Sequence, residues 1–221
     1  MIETVEKVRS GKYIIFEGID GSGKSKQLKK LHWRILTETG LPYNIRAQPS
    51  DGPIGEFIRK HFLSGQLKVD PIVLQTLFAA DHLSNLLGDS SNGVLWELET
   101  GHVVLQDRGF LSGIAYGSLS TQMHIIHDIM KLGMSYVVPD LIIYIDIDPE
   151  IALKRISENR NNFEIYESHD KLTKIRNNYH QAIETLTSYC KNIEIINGDD
   201  TVDNIAGHIW DRVSSMIIPK Y

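Results

Sequence analysis

The chain has 221 residues, of which 42% are hydrophobic, and its formal net charge is −5. This length and apolar content suffice for one sizeable core without disulfides or a structural metal, so we expect a single domain over residues 1–221. Lysine and arginine are spread along the chain, which argues against a broad basic face for nucleic acid and leaves small phosphates as the expected ligands.

The cysteine content and the N-terminal residues indicate the expected compartment. Cys190 is the single cysteine and has no intramolecular partner, and residues 1–9 are charged and lack the apolar run of a signal peptide. No stretch approaches the roughly 20 apolar residues of a membrane span. We therefore expect a reduced, cytoplasmic protein without a membrane partner.

Short β-rich runs alternate with longer amphipathic stretches along the chain. Because these runs are apolar on both faces, they predict strands buried in a parallel sheet between two helical layers, which is an α/β fold. The five predicted strands cover residues 13–16, 43–46, 103–106, 141–147 and 193–196.

Helices are predicted between and after these strands. The first carries Leu28, Leu31 and Ile35 at helical spacing and ends at Gly40. Asp148, Pro149 and Glu150 read as the cap and first turn of a helix that runs to about residue 158. Two further helices are predicted at 171–189 and 202–216. The polar, asparagine-rich residues 159–168 predict a mobile surface segment.

A glycine-rich motif follows the first strand and opens the first helix. Residues 18–25 read Gly-Ile-Asp-Gly-Ser-Gly-Lys-Ser, which is the pattern and context of a phosphate-binding P-loop. Its backbone N–H groups would surround phosphate, Lys24 would neutralise β/γ oxygens, and the Ser25 hydroxyl would ligate Mg²⁺. The motif predicts ATP binding through Gly18, Asp20, Gly21, Ser22, Gly23, Lys24, Ser25 and Lys26.

A second motif decides among P-loop proteins. No Asn-Lys-x-Asp signature or Asp-x-x-Gly switch follows a strand, which weakens a GTPase interpretation. Residues 107–116 resemble the Asp-Arg-Tyr-x-x-Ser-x-x-Ala-Tyr/Phe segment of thymidylate kinases, a family of P-loop nucleoside-monophosphate kinases. Further matching segments lie in the same order at 16–21, 48–55, 77–81, 145–155 and 164–167.

The resemblance implies a three-layer P-loop NTPase fold with a five-stranded parallel sheet and a lid at about 155–168. It also implies a homodimer that binds small nucleotides. Asp107 would hold Mg²⁺ through water, beside the Ser25 ligand, or it would instead cap a helix. Arg108 would bind the acceptor phosphate and act with Lys24 in catalysis.

Two lid arginines are candidates for transition-state charge. One branch of the family carries an arginine at the position of Gly21, so this chain resembles the branch whose lid supplies that charge. Arg155 and Arg160 are the candidates, and a solvated helix end is the alternative for each.

The resemblance also implies the acceptor contacts. Phe78 would stack on the base, although a phenylalanine at helical spacing is often a core residue. Tyr116 would line the sugar and disfavour a 2′-hydroxyl, or it would serve helix packing alone. The remaining acceptor candidates are Asp20, Gln48, Pro49, His82, Ser112, Gly113, Glu164 and Tyr166.

The sequence departs from the family pattern on the acceptor side. His82 stands where an arginine usually reads the thymine carbonyl edge, and Gly109 replaces an aromatic residue or histidine. Ala47 follows a basic residue that is displaced to Arg46, and Ile165 replaces a common lid arginine. The leading acceptor is deoxythymidine 5′-monophosphate. The alternatives are a deoxyuridylate or 5-modified pyrimidine nucleotide, a monophosphate of another base, and a non-catalytic module that regulates a partner.

Overall fold

The computed structural model describes residues 9–89, 92–159, 166–186 and 190–218. Its sheet has five parallel strands in the order β2-β3-β1-β4-β5. This confirms the predicted α/β fold class with a central parallel sheet. The strands are β1 (Lys12–Glu17), β2 (Tyr43–Ala47), β3 (Val103–Asp107), β4 (Leu141–Asp146) and β5 (Ile193–Asn197).

Helices connect the strands and cover both faces of the sheet. Those of the described residues are α1 (Lys24–Glu38), α2 (Pro53–Ile58), α3 (Pro71–Leu87), α4 (Val94–Glu99), α5 (Phe110–Gly117), α6 (Met123–Met134), α7 (Pro149–Asn159), α8 (His169–Leu186) and α9 (Val202–Ile217). A π-helical turn over Arg59–Leu63 extends α2. No helix in the described part of the chain is both long and apolar enough to span a bilayer.

Two hydrophobic clusters, one on each face of the sheet, form the core. Alternate residues of β1 enter opposite clusters, because Ile14 and Phe16 face α1 and α9 whereas Tyr13 and Ile15 face the other helical layer. The three inner strands β1, β3 and β4 are therefore buried on both faces, as predicted. The edge strands β2 and β5 depart from that prediction, because Ile45 and Ile195 are 42% and 56% exposed.

Strand register places the phosphate loop and the segments that follow β2 and β3 at one edge of the sheet. Phe16 pairs with Asp107, and Ala47 on the other side of β3 also pairs with Asp107. The segments that follow β1, β2 and β3 therefore emerge side by side. The carboxyl edge of a parallel sheet is where ligands bind in folds of this kind.

The prediction that residues 159–168 form a mobile surface segment is wrong for Tyr166 and Glu167. Glu167 is only 5% exposed, and Tyr166 is half-buried against Tyr116. The reason is that these residues lead directly into α8, which is packed in the interior on Leu172 and Ile175. Polar composition alone gave no sign of this entry into the core. Residues 160–165 lie outside the described part.

Candidate active site

Three glycines shape the loop between β1 and α1. Gly18, Gly21 and Gly23 have φ angles of 145°, 79° and 92°. These values lie in the region that residues with a Cβ rarely adopt. A Cβ on Gly21 would lie 2.5 Å from the Ala152 carbonyl oxygen, whereas one on Gly23 would meet nothing within 4 Å. The loop is thus packed on one side and open on the other, at the N-terminus of α1, as an anion site requires.

Lys24 is the buried cation of this loop. Its side chain is enclosed, and Nζ donates to the Ile19 carbonyl at 2.9 Å. Burial, with help from the charge of Arg108, lowers the pKa of Lys24 to about 8, although Asp20 and Asp107 act in the opposite direction. An anionic ligand in the loop would favour the charged form and raise this pKa.

Ser25 and Asp107 form a paired oxygen site beside the loop. Ser25 Oγ donates to Asp107 Oδ2 at 2.6 Å, and Asp107 Oδ1 is buried without a hydrogen-bond partner among the described residues. Hydroxyl and carboxylate oxygens are ligands that suit Mg²⁺. The alternative role of Asp107 as a helix cap is not realised, because α5 begins after Gly109 without a side-chain cap. The pair therefore fits the predicted ion.

Arg108 occupies the centre of the site in a left-handed conformation, with φ of 65°. Its backbone is held on both sides, since its N–H donates to the Phe16 carbonyl and its own carbonyl accepts from Gln106 Nε2 at 2.8 Å. The guanidinium pairs with Asp20 and lies over the Tyr116 ring, 4.9 Å from the centroid. The guanidinium therefore lies at the carboxyl edge of the sheet, between Asp20 and Tyr116.

Asp20 links the phosphate loop to this arginine. Burial alone would raise the pKa of its carboxyl group, but Arg108 and Lys24 outweigh that effect and the pKa is lowered. Tyr116 Oη also donates to Asp20, at 2.9 Å. Asp20, Arg108 and Tyr116 therefore form one hydrogen-bonded unit that carries an ionised carboxylate.

Sequence reasoning missed the residues that hold this unit. Glu17 is fully buried and accepts from the Gly109 N–H at 2.9 Å, from Ser112 Oγ and from Tyr179 Oη. Gln106 fixes the Arg108 carbonyl from inside β3. Both are polar residues within or at the end of an apolar strand, and that placement is the signal by which they could have been found.

A cavity of about 220 Å³ opens beside Arg108. It adjoins a second cavity of about 280 Å³ over the phosphate loop, and both are lined by Asp20, Gln48 and Arg108. Two ligands would therefore meet at these three residues. The first cavity brings together the predicted acceptor residues Asp20, Gln48, Pro49, Phe78, Arg108, Ser112, Gly113, Tyr116 and Tyr166, and adds Leu63, Gln75, Gly109 and Met130.

His82 is an exception, and the expectation that it contacts the acceptor base needs correction. Its ring is buried outside the set of cavity-lining residues, against α6, where a Cβ on Gly133 would lie 2.6 Å from His82 Cδ2. Burial lowers the pKa of His82 to about 4, so the ring is neutral at physiological pH. The reason is that α3 carries His82 one turn beyond Phe78, where α6 covers the helix.

Arg46 does not serve the acceptor cavity either. It pairs with Glu97 at 2.7 Å and donates to Asn85 Oδ1 at 2.9 Å. Arg155, one of the predicted lid arginines, donates to the Gly198 carbonyl at 3.1 Å and lines neither of the two cavities. Arg160 and Glu164 lie outside the described residues.

Comparison with known proteins adds an independent observation. Residues 16–205 match a family profile described as thymidylate kinase. The chain is 34% identical over 177 residues to the thymidylate kinase of Leptospira borgpetersenii, covering 80% of this chain and 83% of the relative.

It is also 33% identical to the thymidylate kinase of Caldicellulosiruptor saccharolyticus, over 88% of this chain and 92% of that protein. The same identity relates it to a probable thymidylate kinase of Methanosphaera stadtmanae, over 91% and 96%. The chain belongs to the thymidylate kinase family.

Membership of this family makes the chain a nucleoside-monophosphate kinase, a transferase, and confirms the resemblance found in the motifs. The profile covers the phosphate loop from Phe16, the Asp107–Arg108 segment and the start of α9. The two adjoining cavities agree with the reaction of such a kinase, which transfers a phosphoryl group from a donor to a nucleoside monophosphate.

Proposed function

We propose that this chain transfers the γ-phosphate of ATP, with Mg²⁺, to deoxythymidine 5′-monophosphate. The observation that carries the proposal is the position of Arg108, at the junction of the two cavities with Asp20 and Gln48. A donor in the phosphate loop and an acceptor in the cavity beside it would bring their phosphates together at this guanidinium.

The donor half is supported by the loop geometry. ATP would place its β and γ phosphates on the N-terminus of α1, where Lys24 is buried and has a lowered pKa. Ser25 and Asp107 would hold Mg²⁺, which would neutralise phosphate charge. The described residues include no cluster of three or more His, Cys, Asp and Glu suited to a metal, so phosphate and water oxygens would complete the shell.

The acceptor needs no general base. A phosphate monoester has a second pKa of about 6 and is largely deprotonated at neutral pH. Catalysis therefore consists of positioning and charge neutralisation, for which the bidentate fork of Arg108 is suited. Tyr116, fixed by its bond to Asp20, would crowd a ribose 2′-hydroxyl and favour a deoxynucleotide.

The lid and the assembly complete the proposal. Arg155 or Arg160 would supply charge to the transferring phosphoryl group when the lid at about 155–168 closes and excludes water. As the family resemblance implies, we propose a cytoplasmic homodimer of single-domain chains. A particle of twice the chain mass in light scattering would support the dimer, and a particle of one chain mass would contradict it.

A coupled ADP-release assay tests the transfer. With ATP and Mg²⁺, deoxythymidine monophosphate should give the highest kcat/KM in a panel that includes the deoxyuridine, deoxycytidine, deoxyadenosine and deoxyguanosine monophosphates. A higher value for another member would reassign the acceptor. No acceptor-dependent ADP from any member would favour the non-catalytic module.

Substitution of the loop lysine tests the mechanism. Lys24→Ala should abolish transfer while the thermal unfolding midpoint stays near that of the wild type, because the amine neutralises donor charge in the transition state. Lys29→Ala makes the same change at an exposed position of the same helix and should leave turnover unchanged. A turnover number equal to that of the wild type in Lys24→Ala would contradict the proposed mechanism.

A further inference from the structure

Gln75 is one of the residues that line the acceptor cavity but not the cavity over the phosphate loop. Leu63, Phe78, Gly113 and Met130 line the acceptor cavity as well, and Gln75 adds a carboxamide to these apolar groups. Gln75 is only 5% exposed, and its Oε1 is buried with no hydrogen-bond partner in the described part of the chain. A buried amide oxygen without a partner is unfavourable in a folded protein, which points to a partner supplied by a ligand.

Packing fixes the position of this carboxamide. Gln75 lies in α3 one turn before Phe78, so both side chains are on the same face of the helix. Gly117 of α5, which does not line the cavity, packs directly against the amide, because a Cβ there would lie 2.9 Å from Gln75 Cδ and 3.0 Å from Oε1. The amide is therefore confined at the cavity wall beside the Phe78 ring.

The chemistry of an amide matches one edge of a pyrimidine base. A carboxamide presents one acceptor next to two N–H donors. Thymine and uracil present an N3–H donor between two carbonyl acceptors, so Gln75 can accept from N3–H and donate to the neighbouring carbonyl at once. Two such bonds on one base discriminate by roughly 10- to 100-fold in other recognition sites.

We propose that Gln75 is the specificity-determining residue that binds the imide edge of the acceptor base, while Phe78 lies along its face. This inference rests on the proposed function, since it needs a pyrimidine nucleotide in this cavity. It also moves the base contact from position 82, where the family pattern places it, to position 75 of the same helix, because His82 packs against α6 and does not line the cavity.

Calorimetric binding without ATP tests the proposal directly. The two ligands are deoxythymidine monophosphate and its N3-methyl derivative, which lacks the N3–H donor. Wild-type protein should bind the unmethylated nucleotide at least about tenfold more tightly. In Gln75→Leu, which removes both hydrogen-bonding groups, the two ligands should bind within about threefold of each other, and the affinity for deoxythymidine monophosphate should fall about tenfold or more.

Two further variants separate a base contact from a structural effect. Gln75→Met keeps the length of the side chain and removes both hydrogen-bonding groups, so it should also weaken binding about tenfold while the unfolding midpoint stays near the wild-type value. Gln27→Leu makes the same change at a buried glutamine whose Nε2 donates to the Val202 carbonyl, away from both cavities. It should keep the wild-type preference between the two ligands.

The results distinguish this inference from the proposed transfer. An equal preference for the unmethylated nucleotide in wild type and Gln75→Leu, or no binding of it by the wild type, would overturn the role of Gln75. Normal ADP release with deoxythymidine monophosphate in the first case would leave the proposed function standing. The expected loss of preference without any ADP release would refute the transfer and retain the base contact.

Discussion

The fold lowers the pKa of the Lys24 amine below its ordinary value. Burial lowers its pKa to about 8, so at pH 8 about half of the free protein carries a neutral lysine. Bound polyphosphate would stabilise the charged form and raise the pKa. Affinity for ATP should therefore be greatest below pH 8 and decline as the pH rises above it, because protonation then has to accompany binding.

This linkage gives a proton-uptake prediction. At pH 8, binding of ATP should take up about half a proton per chain, measured by calorimetry in buffers of different ionisation enthalpy. Lys24→Arg keeps the positive charge but stays protonated at every working pH, so its uptake should be close to zero. Equal uptake by the two proteins would show that another group takes the proton.

At the scale of elements, Arg46 ties the edge strand β2 to the helices beside it. Its guanidinium makes two bonds to Glu97 of α4, one to Asn85 of α3 and one to Asn92 before α4. The Arg46 and Glu97 side chains are 17% and 5% exposed. A pair this deeply buried destabilises the protein strongly when one partner is removed, because the other charge stays behind.

Arg46→Met should therefore lower the free energy of unfolding by about 3 kcal/mol, measured by urea denaturation. Adding Glu97→Met should recover much of the loss, because the uncompensated carboxylate is then gone. Lys30→Met, which breaks the exposed pair with Asp203, is the matched control and should leave the free energy of unfolding close to the wild-type value. Similar losses for Arg46→Met and Lys30→Met would contradict the buried-pair account.

At the scale of the whole molecule, the helical layer of α1 and α9 covers one face of the sheet through a continuous apolar cluster. Leu31 of α1 belongs to this cluster and is 3% exposed, whereas Leu36 on the same helix is 44% exposed. The two leucines differ in environment but not in chemistry. Replacing each leucine in turn therefore tests how much of the free energy of unfolding comes from packing α1 and α9 on the sheet.

Leu31→Ala should lower the free energy of unfolding by about 2–5 kcal/mol, because it removes buried apolar contacts and leaves a cavity. Leu36→Ala, measured by the same urea titration, should cost less than about 1 kcal/mol since much of that side chain is already in water. Comparable costs at the two positions would mean that α1 is not held to the sheet by this face.

The features that are local in sequence could be predicted without the structure. The five strands lie close to the predicted runs, and α1, α7 and α9 begin and end close to the predicted bounds. The phosphate loop can be predicted from sequence because its glycines, Lys24 and Ser25 are contiguous and lie between a strand and a helix. The family followed from ordered motifs of the same kind.

The acceptor side depended on the tertiary structure, because the role of a side chain there is set by which element covers it. His82 and Gln75 lie two turns apart on α3, yet α6 buries the first while α5 leaves the second at the wall of the cavity. Glu17 and Gln106 hold Arg108 through contacts across the sheet. The residue types can be read from the sequence. Only the packing of the helices determines which polar side chains keep a hydrogen-bonding group without a protein partner, ready to pair with a ligand.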